Sequence, residues 1–239
     1  MAEPYFWPAL LGILGLVFGS FIATVAIRWP AGGSALRGRS HCDGCARALT
    51  PWELVPLVGY LIVRGKCRSC GAAIAPSHPL TEIAGAVIGL AAGFAAPGWE
   101  GVAGAVFGWL LLALAAIDLA ALWLPDALTG TLALAGLALG PAPLVDRLAG
   151  GVAGFAALWL VATLYHRLRG REGLGGGDPK LFGAIGLWLG WRALPLVLLI
   201  ACVLGLGWAL ARRLRATDRL PLGTLLAAGA FTMWVVAAI

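Results

Sequence analysis

The chain has 239 residues, of which 61% are hydrophobic and only 12% are charged, and its formal net charge is +6. Soluble domains carry about twice that charged fraction, so the composition excludes an ordinary soluble globular protein. A positive net charge can indicate a nucleic-acid partner, but here the basic residues lie between apolar segments in the pattern of a membrane protein. No nucleic-acid partner is therefore predicted.

Long uncharged segments recur along the chain, with lengths suited to crossing a bilayer, which takes roughly 20 apolar residues. The segment 181–211 is interrupted only by Arg192, and dividing it there gives eight spans in total. The segments are 4–27, 83–99, 101–117, 127–145, 148–166, 181–211 and 220–239. The sequence thus predicts an all-α polytopic membrane protein with about eight transmembrane helices.

The distribution of basic residues predicts the orientation. No basic region precedes the first apolar segment as it would in a cleaved signal peptide, so this span is expected to stay in the membrane with its N-terminus outside. The odd-numbered connections then face the cytoplasm and hold all but two of the 17 basic residues, the exceptions being Arg147 and Arg192. This asymmetry is the positive-inside rule.

One connection is much longer and more polar than the others, and it holds four of the five cysteines. We therefore divide the chain into a first span, 1–28, a small cytoplasmic domain, 29–80, and a membrane domain of seven spans, 81–239.

The four cysteines of this domain form two CxxC pairs separated by 21 residues: Cys42, Cys45, Cys67 and Cys70. Two such pairs on turns can place four thiolates tetrahedrally around zinc. Gly44 and Gly71 are expected to supply the backbone freedom of the two turns. With four protein ligands the zinc would be structural.

Three alternatives to this ligand set exist. Two disulfides are disfavoured because the predicted cytoplasmic location is reducing. A redox CxxC site is disfavoured because two matched pairs favour a metal. His41 and His78 flank the pairs and could substitute as ligands, but each is interpreted as an ordinary loop residue.

Two aspartates lie at the ends of apolar segments, and the predicted topology places both at the inner leaflet. A carboxylate in a span costs roughly 2.5–3.5 kcal/mol on insertion scales and therefore calls for a functional explanation. Asp118 ends its segment, where the helix dipole disfavours a negative charge. Asp178 could merely cap a helix, because Pro179 follows it. Asp126, which follows Pro125, is interpreted as such a cap.

Paired carboxyl groups suit aspartyl protease chemistry. Two neighbouring carboxyls share one proton, so one activates a water while the other polarises the scissile carbonyl. Asp118 and Asp178 are the predicted catalytic residues. Glycines next to the second acid would let a substrate backbone lie close to it. The predicted substrate contacts are Gly175, Gly176, Gly177 and Lys180.

Five sequence blocks in order resemble the type IV prepilin peptidases, which are GxGD-type membrane aspartyl proteases. The segment 18–30 resembles the first-span signature of that family, 40–82 its four-cysteine domain, and 220–229 its last block. The segment AIDLAALWLPD resembles its first aspartate motif and places Asp118 at the catalytic position. GLGGGDPKL resembles its GxGD motif and places the second catalytic residue at Asp178.

This resemblance implies cleavage of a short basic leader from type IV prepilins or type II secretion pseudopilins, just after a glycine, in a bacterial inner membrane. It also implies methylation of the new N-terminus with S-adenosylmethionine, although no methyl-donor motif is visible. The chain departs from the family at Ala120, where an acid is common, at CDGC, where a proline often follows the first cysteine, and at His78, where a tyrosine is common.

Two other function classes remain open from the residues. Another GxGD intramembrane protease would share the two aspartates but lack the four-cysteine loop. A non-enzymatic zinc-anchored scaffold or transporter would need no paired acids at the inner leaflet, and transport acids more often lie near mid-bilayer.

Overall fold

A computed structural model describes residues 4–35, 39–171, 173–215 and 218–239. Within these ranges the secondary structure is helical, apart from two isolated β-bridges in the four-cysteine region. Arg37, one of the basic residues used to predict the orientation, lies outside the described residues. The helices are α1 (Phe6–Arg28), α2 (Val58–Ile62), α3 (Ser77–Ala95), α4 (Trp99–Ala121), α5 (Asp126–Leu139), α6 (Leu144–Arg169), α7 (Asp178–Leu189), α8 (Leu194–Arg212) and α9 (Leu222–Ala238).

All eight predicted spans are helices, in the predicted order, so the all-α membrane fold class is confirmed. Five of them, α1, α3, α4, α6 and α8 with the turn before it, are long and apolar enough to cross a membrane, and α5 and α9 are shorter apolar helices. The exception is α7, whose 12 residues span only about 18 Å. It is enclosed by the other helices, so its length is set by the bundle interior and not by lipid.

Glycines set how closely the helices approach. Gly15 on α1 and Gly85 on α3 face each other so tightly that a Cβ on either would overlap the other's carbonyl oxygen. Gly89 meets the backbone of Leu11 in the same way, and Gly186 on α7 meets Gly150 on α6. The glycines of α1 and α3 thus form a close helix–helix contact, and glycines pack α7 against α6 in the same way.

Aromatic residues fill the centre of the bundle where α4, α5 and α7 meet. Phe107 and Trp188 stack with their ring centroids 4.6 Å apart, and both are fully buried. The indole N–H of Trp188 donates to the carbonyl of Leu132 on α5 at 2.7 Å. This bond satisfies a buried polar group and fixes α7 against α5.

Candidate active site and metal centre

Asp118 lies in the last turn of α4, where only 5% of it is exposed. The first turn of α9 holds it: the backbone N–H of Thr224 donates to Asp118 Oδ2 at 2.8 Å, and the Thr224 hydroxyl lies 3.1 Å from the same oxygen. Gly223 is required beside it, because a Cβ there would lie 3.0 Å from Asp118 Oδ2 and from the methyl groups of Leu124. The segment 220–229, the last of the five sequence blocks, therefore packs directly against Asp118.

Asp178 is the first residue of α7 and is equally buried, with 7% exposed. Its Oδ2 accepts the backbone N–H of Gly175 at 3.0 Å, while its own N–H donates to the Gly175 carbonyl at 3.2 Å. The turn before α7 thus closes on the acid that follows it. A Cβ on Gly177 would lie 2.7 Å from Leu124 Cβ.

The two acids meet at one end of the bundle. Leu124, on the α4–α5 connection, packs beside both Gly177 and Gly223, the neighbours of the two acidic turns. Asp178 lies close enough to Asp118 for the two carboxyl groups to interact electrostatically. The hydrogen bonds from Thr224 to Asp118 and from Gly175 to Asp178 are accepted by the Oδ2 of each acid. The geometry therefore brings together two carboxyl groups that can share a water.

The predicted substrate-contact residues lie beside Asp178 with different surroundings. Gly175 and Gly176 are exposed, and a Cβ on Gly176 would meet no atom within 4 Å. Lys180 is engaged: its Nζ lies 2.6 Å from Asp126 Oδ1.

Asp126 does not act as the helix cap expected from the sequence. It lies in the first turn of α5 but makes no capping hydrogen bond there. Its carboxylate pairs instead with Lys180, 54 residues away. The expectation failed because a cap is a local pattern, whereas this partner comes from another helix. The pair bridges the first turns of α5 and α7, and Lys180 lies two residues after Asp178.

The four predicted metal ligands converge. Their sulfur atoms all lie within 4.8 Å of one another, with 3.8 Å between Cys42 and Cys70 and 4.0 Å between Cys45 and Cys67. A tetrahedral zinc with Zn–S bonds of about 2.3 Å separates its ligands by roughly 3.8 Å. All four thiols are free. The donor set and its spacing fit a tetrahedral metal ion and not a pair of disulfides.

The two CxxC turns are built alike. Cys42 N–H donates to the Arg47 carbonyl at 2.9 Å, and Cys67 N–H donates to the Ala72 carbonyl at 2.8 Å. The residue after the second cysteine of each pair is left-handed: Ala46 with φ 57° and Gly71 with φ 73°. The expectation for Gly71 is met, but the equivalent of Gly71 is Ala46 and not Gly44.

Gly44 is needed for space. A Cβ on it would lie 2.8 Å from Ala72 Cβ of the other turn. Backbone N–H groups of Cys70 and Ser69 lower the pKa of the Cys67 thiol to about 6, the direction that favours a metal-binding thiolate.

Polar contacts tie this region together and to the membrane helices. Arg47 Nη2 lies 2.7 Å from Glu53 Oε1. The Arg47 side chain, with the backbone N–H of Thr50, lowers the pKa of Glu53 to about 2. Glu82, a buried acid on α3, accepts the Leu57 N–H at 2.7 Å. The four-cysteine region is thus docked on α3 through a buried carboxylate.

A cavity of about 160 Å³ lies between the four-cysteine region and the adjoining ends of α1 and α3. Its lining mixes both charges, with carboxyl groups of Asp43, Glu53 and Glu82 and cationic groups of Arg28 and Lys66.

Sequence reasoning missed three of these residues. Glu82 carried a usable signal, since it is an acid directly before an apolar span. Thr224 and Gly223 carried none of their own, because their role depends on α4, more than 100 residues away.

Comparisons with known proteins agree with the blocks described above. The model of the bacterial peptidase A24 N-terminal domain matches residues 13–95, and that of the type IV leader peptidase family matches residues 105–210. The first range contains the four cysteines and the second contains both aspartates. No solved structure matches the chain significantly.

Several curated relatives carry the name prepilin leader peptidase/N-methyltransferase. The protein of Burkholderia pseudomallei strain K96243 is 40% identical over 91% of this chain and 81% of its own length. That of Klebsiella pneumoniae is 40% identical over 83% of this chain and 92% of its own. That of Neisseria gonorrhoeae is 33% identical over 85% and 82%. The chain belongs to the type IV leader peptidase family.

Proposed function

We propose that this protein removes the basic leader from type IV prepilins or type II secretion pseudopilins and methylates the new N-terminus. The observation that carries the peptidase assignment is the meeting of Asp118 and Asp178, buried and from different helices, at one end of the bundle. The names of the relatives supply the substrate class and the second activity.

The cleavage uses one water and one shared proton. The ionised carboxylate takes a proton from the water as its oxygen attacks the scissile carbonyl carbon, while the protonated carboxyl gives its proton to the carbonyl oxygen. The tetrahedral intermediate then collapses: the proton taken from water passes to the leaving nitrogen, the C–N bond breaks, and the oxygen returns its proton. The dyad ends in its starting state.

Gly175 and Gly176, which are exposed, and the half-buried Gly177 form the proposed contact surface for the substrate backbone, because in the described part of the chain no atom lies within 4 Å of a Cβ built on Gly176. Lys180 is the remaining proposed contact. Its ion pair with Asp126 leaves 47% of its side chain exposed, so a substrate can reach it without unfolding the site.

Cys42, Cys45, Cys67 and Cys70 would hold zinc, since the sulfur spacing fits the ion. With four protein ligands the metal would serve to fold the region and would leave no coordination position for substrate.

For S-adenosylmethionine, the lining of the cavity against α1 and α3 fits the chemistry of the donor. Glu82 and Asp43 suit its hydroxyl groups and positive sulfur, and Arg28 and Lys66 suit its carboxylate. When bound, the donor supplies a methyl group to the free amine of the cut substrate. Thr24→Leu, which narrows this cavity from α1, should weaken binding of labelled donor in equilibrium dialysis while leader cleavage continues.

The multi-pass fold is proposed to lie in a bacterial inner membrane, with the N-terminus outside and the four-cysteine region in the cytoplasm. Domains 1–28, 29–80 and 81–239 follow from that arrangement, although α3 already begins at Ser77. Cysteine substitutions in the loops, labelled in intact cells, test this orientation. A cysteine in the 167–180 loop should not react with a membrane-impermeant reagent added outside, and a cysteine in the 143–147 turn should react.

The central test of the function is incubation of purified protein with a prepilin bearing a basic leader, followed by mass measurement. A product shortened by the leader supports the peptidase, and an added methyl mass supports the transferase. An uncut substrate at matched concentrations contradicts the proposal.

A further inference from the structure

An exposed apolar patch covers one side of the four-cysteine region. We define it by four side chains between 52 and 62. They are Trp52 (78% exposed), Leu61 (70%), Ile62 (55%) and Val58 (49%). Leu54 and Val55 in the same segment are also exposed but line the cavity. A cluster of this kind on a water-facing domain is costly to hydrate and marks an interaction surface.

The position of the patch identifies what covers it. Leu57, in its middle, is bonded to Glu82 on the second turn of α3. The neighbouring α3 side chains Leu80 and Ile83 are themselves exposed, which is ordinary for a helix face in lipid. The patch therefore adjoins the part of α3 whose exposed apolar side chains are expected to face lipid. Arg64 follows it and is exposed as well, and anionic headgroups attract such a positive charge.

We infer that this patch lies in the headgroup–acyl boundary of the inner leaflet, so that part of the four-cysteine region is interfacial and not free in water. Apolar side chains beside basic residues are the pattern of such surface-lying segments, and Trp is enriched at this depth. A second copy of the chain and a substrate segment are the competing occupants, and neither accounts for the position of the patch beside α3.

Spin labels in lipid nanodiscs test this placement. A nitroxide on Leu61→Cys, in a metal-loaded Cys202→Ser background, should collide more with oxygen than with a water-soluble nickel complex. A label on the exposed Ala48→Cys, outside the patch, should show the reverse. Preference for nickel at position 61 overturns the inference, as does protection from both reagents, which indicates a protein partner. The readout is independent of leader cleavage.

A second inference rests on Thr224 and on the proposed role of Asp118. The Thr224 hydroxyl lies 3.1 Å from Asp118 Oδ2 and also 3.1 Å from the carbonyl oxygen of Ala115. A hydroxyl has one hydrogen and can accept as well as donate. It therefore serves only one of these two acceptors at a time.

The two arrangements correspond to the two protonation states of Asp118. When Asp118 is ionised, the hydroxyl donates to Oδ2. When Asp118 is protonated on its other oxygen, Oδ2 becomes a weaker acceptor, and the hydroxyl turns its hydrogen to the Ala115 carbonyl while the Thr224 N–H still holds Oδ2. No heavy atom has to move. Among the described residues Asp178 has no such partner, because the Gly175 N–H has no second acceptor to turn to.

We propose that Thr224 is a positioning residue that holds Asp118 in one place through both protonation states of the cleavage cycle. Thr224→Val keeps the shape and the backbone N–H but removes the hydroxyl. It should lower kcat about 10–100-fold, as expected for a lost hydrogen bond to a charged group, and change KM by less than about twofold. Thr224→Ser should restore most of kcat.

Thr232→Val is the matched control, because that hydroxyl donates to the Ala228 carbonyl within the same helix, α9, and among the described residues contacts neither aspartate. It should leave kcat unchanged. If valine is not accommodated, as judged by melting temperature, Thr224→Ala against Thr224→Ser gives the same comparison. Full kcat without the hydroxyl, or a serine variant as slow as valine, overturns the positioning role. If wild-type protein does not cut at all, the proposed function has failed instead.

Discussion

The four-cysteine region and the membrane bundle are held together by different physics. In the described residues from 39 to 76, the one buried apolar side chain is Cys67, whereas α4 and α7 contribute a continuous core of Leu, Phe, Trp and Ala. The first region depends on turn hydrogen bonds, charge pairs and four converging thiols, and the second on close helix packing. A region with so small a core needs a metal or another covering surface to fold.

If the proposed sites are correct, this difference separates the site of leader cleavage from the site of methylation. The aspartates are held by α4, α7 and α9, and none of their hydrogen bonds comes from the four-cysteine region. The two regions are connected by the chain itself and by the hydrogen bond from the Leu57 N–H to Glu82. The cavity lies beside this hydrogen bond. A substitution that impairs one region should therefore leave the structure and activity of the other region largely unchanged.

The largest effect is expected at the dyad. Asp118→Asn and Asp178→Asn should each reduce leader cleavage at least about 1,000-fold, since members of a catalytic unit fail together. Both variants should keep their metal and their melting temperature, because neither acid is proposed to hold the fold. The measurement is cleavage of one prepilin at matched protein concentration.

Asp126→Asn is the control for that comparison. It removes an exposed ion pair to Lys180, and such pairs contribute about 0–1 kcal/mol. Most activity should remain. If Asp126→Asn is inactive while Asp118→Asn cuts normally, the catalytic acid of the first motif has been wrongly chosen.

Cys67→Ser should have the opposite effect to the aspartate variants: it should impair the four-cysteine region and leave most leader cleavage intact. Purified wild-type protein should carry about one metal ion per chain, and the variant should lose it, because a closed four-thiolate site does not survive loss of a ligand. Protease cleavage within 39–76 should become faster, while leader cleavage falls far less than in Asp118→Asn. Metal analysis and limited proteolysis check both parts. A variant with full metal content would rule out this ligand set.

The sequence predicts more of the bundle than of the site. All eight helices are visible as uncharged segments because lipid imposes apolar length, and the cysteines converge because their spacing is local. The brevity of α7 is visible in the short segment 181–191 before Arg192, but its enclosure by the other helices is not, because that depends on packing. The partners of Asp118 and Asp126 are not visible either, because Thr224 and Lys180 come from distant segments that only packing brings together.

A smaller effect is expected at the Arg47–Glu53 pair. The pKa of Glu53 is about 2, below its ordinary value of 4.5. A lowered carboxyl pKa means that the ionised pair adds stability above about pH 4.5 and loses it as the pH falls toward 2. Glu53→Gln should therefore make the four-cysteine region more sensitive to protease at pH 7. The difference from wild type should shrink as the pH falls through that window, measured against Glu100→Gln on α4. A difference that grows on acidification would contradict this assignment.

The smallest effect concerns the two left-handed positions of the CxxC turns. Ala46 adopts φ 57°, where its equivalent Gly71 pays no steric cost. A non-glycine residue there costs roughly 1–2 kcal/mol, partly offset by the greater freedom that glycine loses on folding. Ala46→Gly should thus stabilise the metal-bound region by about 0.5–1 kcal/mol, and Gly71→Ala should destabilise it by a similar amount or more. Because metal binding and folding of this region are coupled, competition with a chelator should show metal affinity rising about two- to fivefold in Ala46→Gly and falling in Gly71→Ala.

Gly44→Ala is the contrasting case. The backbone of Gly44 is not left-handed, but a Cβ there would press on Ala72, so the variant should weaken metal binding through crowding. Equal affinities for wild type and Ala46→Gly would mean that the turn relaxes without strain.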